Sequence, residues 1–450
     1  MNHFITTIPT MKELEQWMFR MMQEAFAKAM KMALEALDQH ILEHRDRDRF
    51  RVKDERETGV NTVFGHIRYK RRLYHDRQSG QYVYLLDRLL QFEGRGKVSP
   101  HLEETAIAFA GQGPSYRDSA KRLEQLLGYP VLSHQAIREK LLAKAKQEPK
   151  VVQRRPAKVL FVEADGLYTR LQRCQKRGME HAIAVVHEGW EKQGERVELK
   201  NKQYYLHTGT GDFWEGFGDF LVERFEMDEH TWLVVNGDGA PWIRECESYF
   251  HLCLYTLDRF HVARDLKRFV GHLPEVWEAV RKALSKQDPA ALMAAIEGVG
   301  DEQIAKEYRS EWKRYKTHLK RHEKHLRDYR ETLRAHGIDT RAMRSMGSAE
   351  AQMRLFARRT KRGGYSWSKH GVQAMLKTIM RSLESRVVTI AEEGQRMEKT
   401  QARHTGANLR RMMREVRQEV KGCVAGMIRL LQGPKQSSPT GMALKGLRGW

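Results

Sequence analysis

The stretch Lys158-Val159-Leu160-Phe161-Val162-Glu163-Ala164-Asp165-Gly166 decides the fold. A mostly apolar run, too short for a typical helix and closed by an acid and a glycine, reads as a buried strand that carries a carboxylate to its end. The device recurs in Trp232-Leu233-Val234-Val235-Asn236-Gly237-Asp238-Gly239. Two buried strands that each end in Asp-Gly can bring two carboxylates to one edge of a sheet, where oxygen ligands can hold a hard divalent cation.

The text around these strands is α/β. Residues 182–190, a turn around Gln193-Gly194 and residues 203–207 continue the first strand as a meander. Residues 213–225 form an amphipathic helix before the Asp238 strand, Pro241 opens another helix, and residues 251–258 form a fifth strand. Three meander strands, a helix, a strand, a helix and a strand are the order of a ribonuclease-H-like sheet, with acids ending its first and fourth strands. Glu163 shares a strand face with Asp165 by period-two alternation, which makes it an outer group of the same site. Asp258 and His261 follow the fifth strand in Leu257-Asp258-Arg259-Phe260-His261. Two readings of them stand open: Asp258 caps the next helix while His261 packs beneath the sheet, or both lie beside metals and hold a nucleotide.

Gly347-Ser348-Ala349-Glu350 opens a later helix with Glu350 in its first turn. An acid there compensates the helix dipole. It also stands where a third carboxylate is needed, ahead of a basic, glycine-containing, aromatic loop with Arg358, Arg359, Lys361, Arg362 and Trp367. Two Asp and one Glu around two Mg²⁺ or Mn²⁺ ions about 3.5–4 Å apart suit in-line phosphoryl transfer.

Outward from this core, residues 11–44 repeat apolar side chains at helical spacing, Met-rich on one face, a packing or self-association surface. Residues 59–74 read as a strand, and a turn at Gln78-Ser79-Gly80 leads to a second over 82–86. The run Lys70-Arg71-Arg72 either touches phosphate or is a solvated strand face. Ser115-Tyr116-Arg117-Asp118 has capping-box form, Gly128-Tyr129-Pro130 stops its helix, and a second helix follows Ser133. This is helix-turn-helix layout, with Gln135, Arg138 and Lys140 on the second helix facing DNA and Arg154 and Arg155 in the linker that follows. Residues 264–336 are helical and highly charged, with a basic face (Lys313, Arg314, Lys316, Lys320, Arg321, Lys324) that is a nucleic-acid path or a solvated side.

The organisation expected is therefore an N-terminal amphipathic helix (1–50), a β-hairpin region (51–98), a helix-turn-helix region (99–150), a catalytic domain of α/β type, α+β overall (151–263 and 341–371), an all-helical insertion (264–340), C-terminal helices (372–432) and a flexible tail (433–450). Lys and Arg number 80 against 58 Asp and Glu, a net charge of +22 that favours a polyanionic partner, most simply double-stranded DNA. The four cysteines, Cys174, Cys246, Cys253 and Cys423, form no C-x-x-C pair, so the sequence suggests neither a zinc ribbon nor a disulfide framework. No stretch approaches the ~18 apolar residues of a membrane span, and a soluble cytoplasmic, nucleoid-associated protein without membrane contact is expected.

The series Glu163-Ala164-Asp165-Gly166, Asn236-Gly237-Asp238-Gly239-Ala240 with Trp242, Leu257-Asp258-Arg259-Phe260-His261, Gly347-Ser348-Ala349-Glu350 and Tyr365-Ser366-Trp367-Ser368-Lys369-His370-Gly371 resembles the ISLre-type bacterial insertion-sequence transposases, and more loosely the Mutator-like transposases. The resemblance covers nearly the whole chain. It implies an acidic triad of Asp165, Asp238 and Glu350, a D-x-x-H motif at Asp258 and His261, DNA strand cleavage and joining, and a homodimer or higher homo-oligomer on DNA. Two other readings compete: a ribonuclease-H-like nuclease that cuts without joining, and a DNA-binding regulator whose carboxylates are structural.

Overall fold

The computed structural model describes residues 10–90, 92, 98–147, 154–208 and 211–384. They form a mixed α/β protein in two compact units, one ending at Lys140 and one beginning at Leu141.

In the first unit, α1 (Met11–His44) is started by Thr10, whose hydroxyl accepts from Glu13 N while the Glu13 carboxylate accepts from Thr10 N. Strands β1 (Phe50–Thr62) and β2 (Gly65–Asp76) pair antiparallel. The single strand expected over 59–74 is thus a hairpin. Gly65 takes a φ of 121°, open to glycine, and the Thr62 hydroxyl accepts from Phe64 N and donates to Gly65 O. The strand expected over 82–86 shrinks to β3 (Tyr82–Val83), and the chain then turns into α2 (Leu85–Leu89), where Asp87 meets buried Arg71. Arg72 binds Asp38, and Lys70 reaches Glu55. The basic run of β2 is therefore committed to intramolecular ion pairs. Leu34 and Leu37 of α1 pack on Ile67 and Tyr69. Helices α3 (Pro100–Gln112), α4 (Tyr116–Leu127) and α5 (His134–Ala145) follow. Ser115 and Ser133 cap the last two, and Gly128, at φ 80°, ends α4.

The second unit opens with β4 (Arg155–Pro156), parallel to β10 (Phe225–Glu226). The end of the expected linker is thus strand, while residues 148–153 lie outside the described residues. Then come β5 (Val159–Arg170), β6 (Gly178–His187), the side hairpin β7 (Trp190–Gln193) and β8 (Arg196–Leu199), β9 (Gln203–Leu206), α6 (Phe213–Arg224), β11 (Trp232–Gly237), α7 (Pro241–Arg244), α8 (Cys246–Tyr249) and β12 (Cys253–Leu257). The main sheet has the order β12-β11-β5-β6-β9, antiparallel across β5, β6 and β9 and parallel across β5, β11 and β12. Leu160, Val162 and Ala164 face Phe213, Trp214 and Phe217 of α6, so Phe161, Glu163 and Asp165 point to the other face.

An all-helical segment follows, with α9 (Arg259–Val270), α10 (Pro274–Lys286), α11 (Pro289–Glu297), α12 (Arg309–Arg321) and α13 (Tyr329–Ala335). Its core holds Leu266, Phe269, Val280, Leu292, Trp312 and Leu319. The chain returns to the sheet as α14 (Ala349–Thr360) and α15 (Lys369–Leu383). The rest of the expected C-terminal helices, the tail and Cys423 lie outside the described residues. No helix among the described residues is long and apolar enough to cross a membrane.

One correction bears on the site. Asp165 does not end its strand, because β11 stops pairing at Asn236↔Glu163 while β6 stays paired as far as Arg170↔Gly178. Asp165 therefore sits mid-strand, where β5 loses its parallel neighbour. The space left beside β5 is taken by α14. Its start has no side-chain cap of its own, since Ser348 makes none. Instead the buried Glu163 carboxylate accepts from Gly347 N (3.1 Å), Ser348 N (2.9 Å), the Ser348 hydroxyl (2.9 Å) and Ala349 N (3.3 Å). Asn236 Nδ2 also donates to it at 2.8 Å, and the Thr256 hydroxyl in turn donates to Asn236 Oδ1. Glu163→Ala strands these donors in a dry interior and is expected to destabilise the protein by about 3–5 kcal/mol, read as a lower urea midpoint.

Candidate metal centre

Three side chains that are distant in sequence meet beside the interrupted edge of β5. One ligand atom each from Asp165, His261 and Glu350 lies within 4.8 Å of the others. β5 brings Asp165, the first turn of α9 brings His261, and the first turn of α14 brings Glu350. Asp238, just past β11, is exposed, its Oδ1 accepting from Ala240 N at 2.9 Å. It stands outside the close trio, near enough for its charge to act on Asp165.

Asp258 caps the next helix, as the first of its two readings has it, and also holds His261, which lies in the cluster with Asp165 and Glu350. It is fully buried, its Oδ1 caps α9 by accepting from Phe260 N (2.8 Å), and its Oδ2 meets His261 Nδ1 at 3.0 Å. In the neutral ring, an Nδ1 proton directed at this carboxylate leaves the lone pair on Nε2. Gly347 lies next to this arrangement with a φ of 131°, a backbone conformation open to glycine, while a Cβ there would meet Asp258 Oδ1 at an ordinary contact distance of 3.7 Å.

Burial pushes the Asp165 carboxyl up to about 6, with the Asp238 and Glu350 charges adding to the rise and Gly166 N–H and His261 opposing it. The bond to Asp258 raises His261 above its usual value, against burial. Burial raises Glu163 as well, opposed by the amide donors of α14. Arg354 donates to Glu350 at 3.0 Å from the next turn. A site with this much negative charge in a partly dry recess attracts cations.

The basic residues divide. Gln135 and Arg138 on α5, Arg154, and Arg358, Lys361 and Arg362 around the end of α14 are exposed. Lys140 is engaged by Glu103 at 2.6 Å, and Arg155 faces Glu188 at 3.4 Å. Arg359 and Trp367, expected on the DNA side, are buried: the guanidinium lies over the Tyr365 and Trp367 rings, and Trp367 Nε1 donates to Thr360 O. Trp367 also bridges to Leu171 beyond β5, because the loop after α14 folds back on the sheet. Of the basic face on α12 and the turn after it, Lys313, Lys320 and Lys324 pair with Asp301, Glu297 and Glu247. The sequence did not single out His318 of α12, whose Nε2 would lie 3.4 Å from a Cβ on Gly239, beside Asp238. Nothing local signals that approach, which depends on how the helical segment folds back.

Fold and site together define a mixed α/β protein with a carboxylate and histidine cluster at the edge of its main sheet. The chain belongs to UPF0236, described as an uncharacterised protein family, whose model matches residues 5–400. It is 25% identical over 387 residues to the "UPF0236 protein in vanSb 3'region" of Streptococcus gallolyticus, covering 83% of each chain. It is 26% identical over 294 residues to a UPF0236 protein of Caldanaerobacter subterraneus, covering 64% of this chain and 62% of that one. A second protein of that organism matches at 26%, over 58% of its length.

Because the bond to Asp258 is the first cause of the raised His261 value, Asp258→Asn is expected to lower the His261 pKa. A proton-detected NMR titration of the imidazole measures it.

Proposed function

We propose that this protein is an insertion-sequence transposase of the ISLre type, an enzyme of the DDE class that cuts and joins DNA strands on a ribonuclease-H-like sheet. The observation that carries the reading is the convergence of Asp165, His261 and Glu350 at one point from three separate segments. The sheet order β12-β11-β5-β6-β9 and the return of α14 to its edge support the fold half of the reading. The turn between α4 and α5, with exposed Gln135 and Arg138, supports a helix-turn-helix that reads DNA. The net charge of +22 supports a polyanionic partner. One Caldanaerobacter subterraneus relative bears eleven designations joined in a single name, as repeated copying of an element would leave.

The donor set fits a divalent metal: two carboxylates and an oriented imidazole converge, and Asp165 carries the electrostatic burden that a cation would relieve. Asp165, Glu350 and His261 would hold one Mg²⁺ or Mn²⁺ ion, and Asp238 is the acid at hand for a second. Such ions, when bound, supply Lewis acidity to an attacking hydroxyl and to the leaving oxygen. The chain's own part is positional. Asp258 holds the His261 ring, Glu163 holds the turn that carries Glu350, and Arg358, Lys361 and Arg362 offer charge to backbone phosphates.

The test is cleavage and strand transfer on labelled DNA carrying the element's own ends, with a pre-cleaved end to separate joining from cutting. The parent is expected to cut and join. Asp258→Asn should cost roughly 10–100-fold, as loss of an outer partner does, and Asp165→Asn, Asp238→Asn and Glu350→Gln should cost more while DNA binding persists. Cutting without joining would replace the reading with a nuclease, and unchanged activity in all four variants would remove it.

Protons compete with the cation at Asp165, which ionises at about 6, and at His261, whose raised value keeps the competition going above that pH. Mn²⁺ affinity is therefore expected to rise between pH 5 and 7, by up to about tenfold per unit for each proton released. Calorimetric titration should show that rise flattened in Asp165→Asn.

A further inference from the structure

Residues 11–20 of α1 are exposed on every side, and eight large apolar side chains of this helix, from Met11 to Met30, are 37–70% exposed. Five of them, Leu14, Met18, Met22, Phe26 and Met30, follow one another at four-residue intervals and make a single ridge. A helix apolar over so much of its circumference is built to be covered. At roughly 100 Å² apiece for half-exposed side chains of this size, the five of the ridge with Met11 and Phe19 on the same side offer about 700 Å², within the range that one partner gives to a standard interface, while Trp17 points away from Met22. A contiguous apolar patch of this extent exceeds what monomers ordinarily leave in water.

We propose that this face of α1 packs against α1 of a second copy of the chain, antiparallel, with Met22 on the two-fold axis. Ridges of i, i+4 spacing interdigitate with one another in the commonest class of helix packing. A two-fold at Met22 sets each Met18 against the partner's Phe26 and each Leu14 against the partner's Met30, so every ridge residue meets an apolar one. Charge selects the direction. Glu15 is the acid that falls within the apolar stripe, and it is exposed. In a parallel pair the two copies of Glu15 lie side by side; in the antiparallel pair they stand about 20 Å apart, fourteen helical residues along the axis. The inference rests on α1 alone and stands or falls apart from the metal centre.

Sedimentation equilibrium of the full chain between about 1 and 50 µM tests it, spanning affinities common for interfaces of this area. The parent is expected to dimerise, and Met22→Glu, which sets two carboxylates against each other on the axis, to raise the dissociation constant at least about tenfold with its circular dichroism unchanged. Should Met22→Glu fail to fold, cysteine substitutions decide, made in a chain carrying Cys174→Ser and Cys423→Ser because Cys174 is an exposed free thiol. Under mild oxidation Met22→Cys is expected to link two chains through the introduced thiols, while Leu14→Cys does so only when mixed with Met30→Cys. A parent that stays monomeric, a Met22→Glu dimer as tight as the parent, or a Leu14→Cys chain that links to itself as readily as Met22→Cys would each overturn the proposal. A monomer whose Met18 and Met22 resist peroxide would assign the stripe to residues 385–450 of the same chain instead.

Discussion

The return of Glu350 to the candidate centre depends on one buried carboxylate, Glu163, which closes the start of α14 from another element of the fold. A helix begins with amide donors that have no partner within the helix, and a nearby Ser, Thr or Asp usually answers them. Here Ser348 instead turns its own hydroxyl toward Glu163, so the acid on β5 answers the donors. The cap therefore does two things at once. It ends the exposed edge that β5 presents once β11 stops, and it sets Glu350, two residues into the helix, beside Asp165, two residues along the strand. The row Thr256, Asn236, Glu163, Ser348 ties β12, β11, β5 and α14 together across the sheet. Few apolar contacts could fix a helix terminus to a strand with such directional restraint.

The sheet was legible because burial on both faces writes an almost continuous apolar text, as in residues 159–162 and 232–235. The acids after those runs stood out for the same reason: a carboxylate at the end of an apolar stretch has no packing explanation. The roles of these acids were harder to read. Period-two alternation marks Glu163 and Asp165 as neighbours on one face and cannot say which caps a helix and which faces the recess. That depends on α14, whose return from nearly two hundred residues away is a tertiary event. Asp258 was open to two readings because an acid after a strand and before a helix serves equally as a cap or as a site group, and the fold gives one oxygen to the α9 cap and the other to His261. The hairpin at Thr62 to Gly65 was missed because Val63 and Phe64 are strand formers, and a glycine at φ 121° overrode them.

Net charge, by contrast, was a poor guide to individual residues. Of the basic run in β2, Arg71 and Arg72 are held by Asp87 and Asp38, and Lys140 is held by Glu103. Such pairing is invisible in sequence because the acids come from other elements. The surplus of +22 is real and its long-range field remains, yet the residues able to meet phosphate directly are those that folding leaves exposed, such as Arg138, Arg358, Lys361 and Arg362.

The helical segment between β12 and α14 is more than a spacer. Its first helix starts at Asp258 and carries His261 in its opening turn, while Leu266 and Phe269 farther along the same helix anchor the segment's core. The ring that completes the trio is therefore held from two directions, by the Asp258 cap at the sheet and by the packing of α9 on α10 and α12. From the other end of that core, His318 of α12 comes up against Gly239, next to Asp238. A segment that supplies one wall of the recess and the orientation of its imidazole cannot shift without moving the cluster. Its inward-facing residues are thus constrained by the site as well as by their own packing.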